Sequence, residues 1–276
     1  MDDGRLAEDD SGRGERPGIQ SAEVAAAILR ALAEGGGAMR LSALAAATGL
    51  HRGKVHRYLV SLARTGLVVQ DDKAGSYAIG PLAVTVGLVG LRRLDPVRLA
   101  YGALPGLRDR VNETVALAIW GDMGATVIAL EESAQTVTLN VRVGSTLPLT
   151  NSAMGQVFAA FLPAAMTAPF LEAERFKAAG GRGPAMPSVA DYRRTLESVA
   201  AARLARVEGT LLPGLNAMAA PVFDYRGKLS SVIGLVGHRD SLDMASDGAV
   251  AAALKATAAE LSARLGFVEP KAGAAP

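Results

Sequence analysis

Between positions 51 and 61 the chain sets three fixed cations, two imidazoles and a hydroxyl along one short segment: His51, Arg52, Gly53, Lys54, His56, Arg57 and Ser61. Apolar Val55, Leu59 and Leu62 interleave them at helical spacing, so one face packs inward and the charged face is left outside. Just upstream, Leu44 to Leu50 reads as a short apolar helix closed by Gly49. Helix, tight turn and cationic helix together suit a DNA major groove, where phosphate contacts position a protein and base edges specify the sequence.

Other chemistry-bearing residues are scarce. There is no Cys, which excludes disulfides, thiolate metal sites, iron–sulfur clusters and thiol catalysis, and fits a reducing cytoplasm. Only three His occur, and the third, His238, follows Gly237 and reads as a surface residue. Asp240, Asp243 and Asp247 fall in a turn and around a helix start, where capping accounts for them. No phosphate-binding Gly-Lys-Ser/Thr loop, dinucleotide fingerprint or metal-ligand spacing is present. No catalytic residue, metal or cofactor is expected.

The elements that must position the cationic helix follow from periodicity. Val24, Ile28, Leu29 and Leu32 mark a first helix, stopped by Gly35-Gly36-Gly37. Leu41, Leu44 and Ala45 belong to a second helix with Ser42 as its N-cap. The third spans about His51 to Thr65. Segments 67–69 and 76–79 pair as a wing. Leu82 to Leu94 is helical in pattern, and Pro96 opens another helix. Beyond it, Thr114 to Trp120, Thr126 to Leu130 and Thr136 to Val143 read as strands, then Ala153 to Leu162 and Asp191 to Arg206 as helices. Ala217 to Phe223 and Leu229 to Val236 flank Asp224-Tyr225-Arg226-Gly227-Lys228, a hairpin signal. Ser246 or Asp247 caps a last helix to about Leu265.

Length and charge agree with two domains. The 276 residues are 50 % hydrophobic but only 4 % aromatic, so Leu, Val and Ala must fill the cores. Net charge is only +2, yet residues 39–73 carry six cations against two acids, while residues 1–18 carry six acids against three Arg. Positive charge is concentrated on the helical hairpin. The longest apolar stretch, Pro81 to Leu91, is 11 residues with two Gly, whereas a membrane span needs about 20. A soluble cytoplasmic protein with no membrane partner is expected.

The chain resembles the isocitrate-lyase-regulator (IclR) family of bacterial transcription factors. The likeness rests on Gly49-Leu50 through Leu59, on Leu62-Ala63-Arg64-Thr65-Gly66-Leu67-Val68, on Pro148 to Gly155, and on Pro213 to Asp224. It covers roughly residues 20–266. It implies an α+β chain in which a winged helix-turn-helix joins, through a helical linker, a GAF-like α/β effector-binding domain. The expected bounds are a disordered arm 1–18, the DNA-binding domain 19–80, a linker 81–110, the effector domain 111–267 and a flexible tail 268–276.

The resemblance also implies double-stranded operator DNA and a small-molecule effector as partners, and homodimers that pair into a dimer of dimers. Carried across, the DNA-facing residues are His51, Arg52, Gly53, Lys54, His56, Arg57 and Ser61. Family members often have Ser-Thr where this chain has Gly53-Lys54. The effector wall maps to Asn151, Ser152, Ala153, Met154, Gly155, Val207, Ala217, Gly234 and Val236. Members that bind small oxo-acids are acidic near 207 and hydroxylated near 234 and 236. Val207, Gly234 and Val236 depart from that, which implies a more apolar pocket, roomier at Gly234, and a partly apolar or aromatic catabolic effector. Two other readings stay open on sequence alone: a ligand-binding dimeric adaptor without specific DNA binding, and an enzyme.

Overall fold

A computed structural model describes residues 18–71, 73–134, 141–181, 186–211 and 213–269. The chain divides between Arg93 and Leu94 into two units. In the first, α1 (Gln20–Glu34) buries Val24, Ile28, Ala31 and Leu32, the stripe the 3.6-residue period sets. A two-residue β1 (Met39–Arg40) leads into α2 (Leu41–Thr48), which ends where Gly49 takes a left-handed φ of 65°. Ser42 is not the cap. β1 holds Arg40 extended against the later strand residue Ser76, so the helix starts at Leu41 and Ser42 lies inside it.

The third helix, α3 (Arg52–Arg64), buries Val55, Leu59 and Leu62. Strands β2 (Val68–Asp71) and β3 (Ser76–Ile79) pair antiparallel from Val68↔Ile79 to Asp71↔Ser76, with β1 on the other edge of β3. Asp71 Oδ1 tightens the hairpin turn by accepting from the N–H groups of Lys73 and Ala74 at 2.9 and 3.2 Å. Ile28, Leu44, Val55 and Leu59 are fully buried at the centre, each contributing roughly 1.5–3 kcal/mol. Helix α4 (Pro81–Arg93) buries nothing; Leu82, Val84, Val86, Leu88 and Val89 are exposed.

The second unit opens with α5 (Pro96–Tyr101), capped by Asp95 Oδ1 accepting from Arg98 N at 3.0 Å, and α6 (Leu104–Val111). A five-stranded antiparallel sheet follows, built from β4 (Thr114–Gly121), β5 (Gly124–Glu131), β6 (Ala205–Glu208), β7 (Leu215–Phe223) and β8 (Leu229–His238), in the order β5-β4-β8-β7-β6. Three helices, α7 (Ala153–Phe161), α8 (Ala164–Ala179) and α9 (Val189–Ala202), lie between β5 and β6 in sequence, and α10 (Ala249–Arg264) ends the unit.

Alternation along the strands makes two cores. Val115, Leu117, Ile233 and Leu235 pack with Leu107 of α6 and Leu254 and Leu261 of α10. Ala116, Ala118, Ala219 and Val232 pack with Met154, Val157 and Phe158 of α7. The β7–β8 turn is held by Asp224, whose Oδ1 accepts from Arg226 N and Lys228 N at 2.8 and 2.9 Å.

Four expectations need correction. Residues 141–143 are not strand, and positions 136–140 lie outside the described residues, as do 1–17 of the arm and 270–276 of the tail. The helix expected over 191–206 runs from Val189 to Ala202, because Arg203 turns left-handed (φ 49°) and Arg206 lies on β6, paired with Met218 of β7. Helix α8 was not expected, since Pro169 interrupts its pattern. Neither Ser246 nor Asp247 caps α10; Gly248 is the N-cap, and the turn before it is closed by Asp243 Oδ1 accepting from Ala245 N at 2.9 Å.

Candidate DNA-reading helix and effector cavity

Helix α3 begins behind His51, whose Nδ1 accepts from Gly53 N at 3.2 Å and so satisfies one of the unpaired first-turn donors. This imidazole cap was not foreseen, because the usual capping types are Ser, Thr, Asp and Asn. His51, Arg52, Gly53, His56, Arg57 and Ser61 are exposed and Lys54 is half-buried, so the structure brings all seven onto one element. His56 faces solvent, on the side left outside by the apolar stripe. Ser61 Oγ donates to Arg57 O at 3.3 Å, which engages its proton within the helix. Among the described residues Arg52, Lys54 and Arg57 form no ion pair. Gly53 has an ordinary helical φ, and a Cβ there would lie 3.4 Å from His51 Nδ1, an ordinary contact. The fold does not require that glycine.

In the second unit an apolar cavity of about 70 Å³ opens between α7 and the sheet. Ser152, Ala153, Met154, Val207, Ala217, Gly234 and Val236 line it; Asn151 and Gly155 do not. Ala116, Val127, Leu130, Val141, Leu147, Leu211 and Leu215 add further apolar wall. Among the described residues of that wall Ser152 alone has a polar side chain, and its hydroxyl is engaged: it donates to Pro148 O at 2.6 Å and accepts from Gly155 N at 3.0 Å. Burial of ring or alkyl surface is therefore what this cavity offers, at about 25 cal/mol per Å².

Two glycines have roles other than those the sequence implied. Gly155 is the third residue of α7 and not part of the wall, and a Cβ there would come 2.1 Å from Pro148 O; only glycine lets the 148–152 loop lie on its own helix. Gly234 does not make the pocket roomier. The space its side chain would occupy is filled by Met154, whose Cγ and Sδ lie 2.9 and 3.1 Å from the would-be Cβ.

The loop before α7 is strapped from afar. Leu149 N and Thr150 N donate to Glu174 of α8 at 2.6 and 3.2 Å, and Thr150 Oγ1 adds a third bond at 2.6 Å. Tyr192 of α9 donates its hydroxyl to Leu149 O at 3.1 Å. Burial, and then the Glu174 carboxylate, hold the Tyr192 phenol well above its usual range. Sequence reasoning missed Glu174 and Tyr192, because α8 itself was unseen and neither residue is near the loop in the chain. Elsewhere, His238 is surface-exposed beside Asp240, and no group of three His, Cys, Asp or Glu among the described residues is placed to hold a metal. No described helix is long and apolar enough to cross a membrane.

An exposed cationic helix in a winged three-helix unit, with an apolar cavity in a separate α/β unit, points to an effector-controlled DNA-binding regulator. Comparison with known proteins agrees over nearly the whole chain. Residues 21–72 match the IclR helix-turn-helix domain, and residues 90–263 match the C-terminal domain of bacterial transcriptional regulators of the IclR type. The glycerol operon regulatory protein of Streptomyces coelicolor is 30 % identical over 227 residues, 81 % of this chain and 87 % of its own. The crystal structure of Pseudomonas aeruginosa HmgR is 41 % identical, with a TM-score of 0.80, over 90 % of this chain and 99 % of that one. Agobacterium tumefaciens repressor BlcR, 20 % identical, shares the fold at a TM-score of 0.69 over 91 % of this chain and 99 % of its own. The chain belongs to the IclR family of bacterial transcriptional regulators.

Proposed function

We propose that this regulator answers to a partly apolar or aromatic catabolic metabolite. The observation that carries this is the wall of the cavity, where the one side-chain hydroxyl is already bonded on both sides. A small hydrophilic oxo-acid would leave its polar groups unpaired there. An acid group on a larger effector has one place to go: the N–H groups of Ala153 and Met154, first-turn donors with no partner inside α7.

On the DNA side, Arg52, Lys54 and Arg57 are the cations that meet phosphates or guanine edges, with His51, Gly53, His56 and Ser61 beside them. The exposed apolar residues of α4 support dimerisation through the N-terminal half, which matches a pseudo-palindromic operator; pairing of effector domains would make a dimer of dimers. Effector binding shifts the population of domain arrangements, with a coupling of about 1–3 kcal/mol on operator affinity. The protein works in the cytoplasm, without cofactor and without turning its effector over. Calorimetry on the full chain tests the effector class: benzoate-like and arylalkanoic acids are expected to bind and pyruvate not to. Binding of small oxo-acids alone, or turnover of a bound ligand, would overturn this reading.

A further inference from the structure

The first unit segregates its charge. Residues 35–70 include Arg40, Arg52, Lys54, Arg57 and Arg64 and not one acid. The acids that bound this stretch are placed elsewhere: Glu34 ends α1, and Asp71 spends a carboxylate oxygen on Lys73 N and Ala74 N in the wing turn. Every ion pair among the described residues falls in the second unit. Arg52, Lys54 and Arg57 therefore share one exposed helix face with no described carboxylate to offset them. Lys54 and Arg57, three residues apart, repel each other along it.

The complementary charge is in the same chain. Residues 1–17 carry Asp2, Asp3, Glu8, Asp9, Asp10 and Glu15 against Arg5, Arg13 and Arg16, and Glu8-Asp9-Asp10 is an unbroken acidic run. That run stands eight to ten residues before Gly18, where the described chain begins. A segment of that length spans up to about 26–36 Å, and a domain the size of residues 18–93 is about 30 Å across. Helix α1 follows at once and shares one core with α3, through Val24, Ile28, Val55 and Leu59. The run is thus long enough in reach, and tethered at an effective concentration on the order of millimolar, to meet the cations of α3.

We propose that in the DNA-free protein the Glu8-Asp9-Asp10 run lies on the exposed face of α3, against Arg52, Lys54 and Arg57, and occupies the surface that phosphates use. Carboxylates on successive residues supply the negative charge that a DNA strand would bring. A duplex must displace them before it docks, so binding weakens by the same factor for an operator and for random sequence, which holds the protein off bulk DNA. The effect on DNA rests on the assignment of α3 as the reading helix; the contact itself is tested without DNA.

Carbodiimide coupling of the full-length protein, which joins a carboxylate to an amine only where the two touch, reads the contact after trypsin digestion and mass spectrometry. The peptide of residues 6–13 should be joined through Lys54 to that of residues 53–57, at a yield independent of protein concentration, and the link should vanish at about 0.5 M salt. Glu8→Gln/Asp9→Asn/Asp10→Asn should abolish the link. The same variant should bind a random-sequence duplex about tenfold tighter at about 0.05 M salt, with less than about a twofold gain at about 0.3 M. No link to Lys54, in a protein whose Lys54 still reacts with a small soluble acylating reagent, would overturn the proposal, as would a yield that rises with protein concentration. A salt-sensitive link with unchanged duplex affinity in the variant would uphold the contact and overturn α3 as the DNA face instead.

Discussion

Helices α3 and α7 both start behind a capping side chain and both carry a glycine in the first turn, yet the glycines answer to opposite demands. In α3, His51 caps Gly53, whose surroundings would accept a methyl group, and the cations beyond it stand in solvent without ion-pair partners among the described residues. In α7, Ser152 caps Gly155, which is pressed against Pro148 O, and the hydroxyl of the cap is bonded twice. Helix α3 thus carries groups its own fold does not need, which are free to meet an outside partner. At the start of α7 the capping hydroxyl is spent within the fold, and the side chains facing the cavity offer shape instead.

Substitutions can break that contrast. Gly155→Val should be the most damaging, because backbone rather than a flexible side chain stands in the way; a loss of about 3 kcal/mol is expected, read by urea unfolding of the full chain. Gly234→Ala should cost less, roughly 1–2 kcal/mol, since the nearest atoms belong to Met154, which can swing aside, and the backbone obstacle, Met218 O, stands off at 3.1 Å. In a Met154→Ala background the penalty should shrink, and the two changes should be non-additive.

A pH-dependent effect comes from Glu113. It is 3 % exposed, Ser241 Oγ donates to it at 3.3 Å, and its second oxygen is unpartnered; burial holds its carboxyl above the usual value of 4.5. A raised folded-state value means that the native state is favoured by the protonated form. That contribution is complete below 4.5 and is lost as pH rises through the folded value. Glu113→Gln should therefore melt higher than the wild type at neutral pH, with the gap closing as pH falls through the raised folded value towards 4.5. Smallest is Gly53→Ala, which should stabilise α3 by about 0.5–1 kcal/mol while weakening operator binding through loss of close backbone approach. Stabilisation with unchanged operator affinity would remove Gly53 from the DNA face.

The same contrast explains what the sequence disclosed. Val55, Leu59 and Leu62 at helical spacing place the cations of α3 by local periodicity alone, and the hairpin around Asp224 to Lys228 needs nothing but its own turn residues. Wall positions such as Val207, Ala217 and Val236 came from the family likeness and not from any local pattern, and the cavity is lined by them. Contacts made across long separations were not legible. Nothing local links Leu149 to Glu174, or Leu149 to Tyr192, and the exchange of a missing side chain at Gly234 for the bulk of Met154 is a tertiary fact. Helix α8 was lost because Pro169 breaks its pattern, while its Glu174 holds the loop that shapes the cavity.

The most direct measurement is selection of fragmented genomic DNA by the full-length protein and by its Arg52→Ala/Arg57→Ala variant, at about 0.15 M salt, with sequencing of what each retains. The wild type should recover a recurrent inverted repeat. The double variant should lose it, by about 1–3 kcal/mol per base-reading Arg, while its unfolding midpoint and its ligand binding stay unchanged. Retention of the same repeat at the same affinity by the double variant would contradict the assignment of α3 as the reading helix.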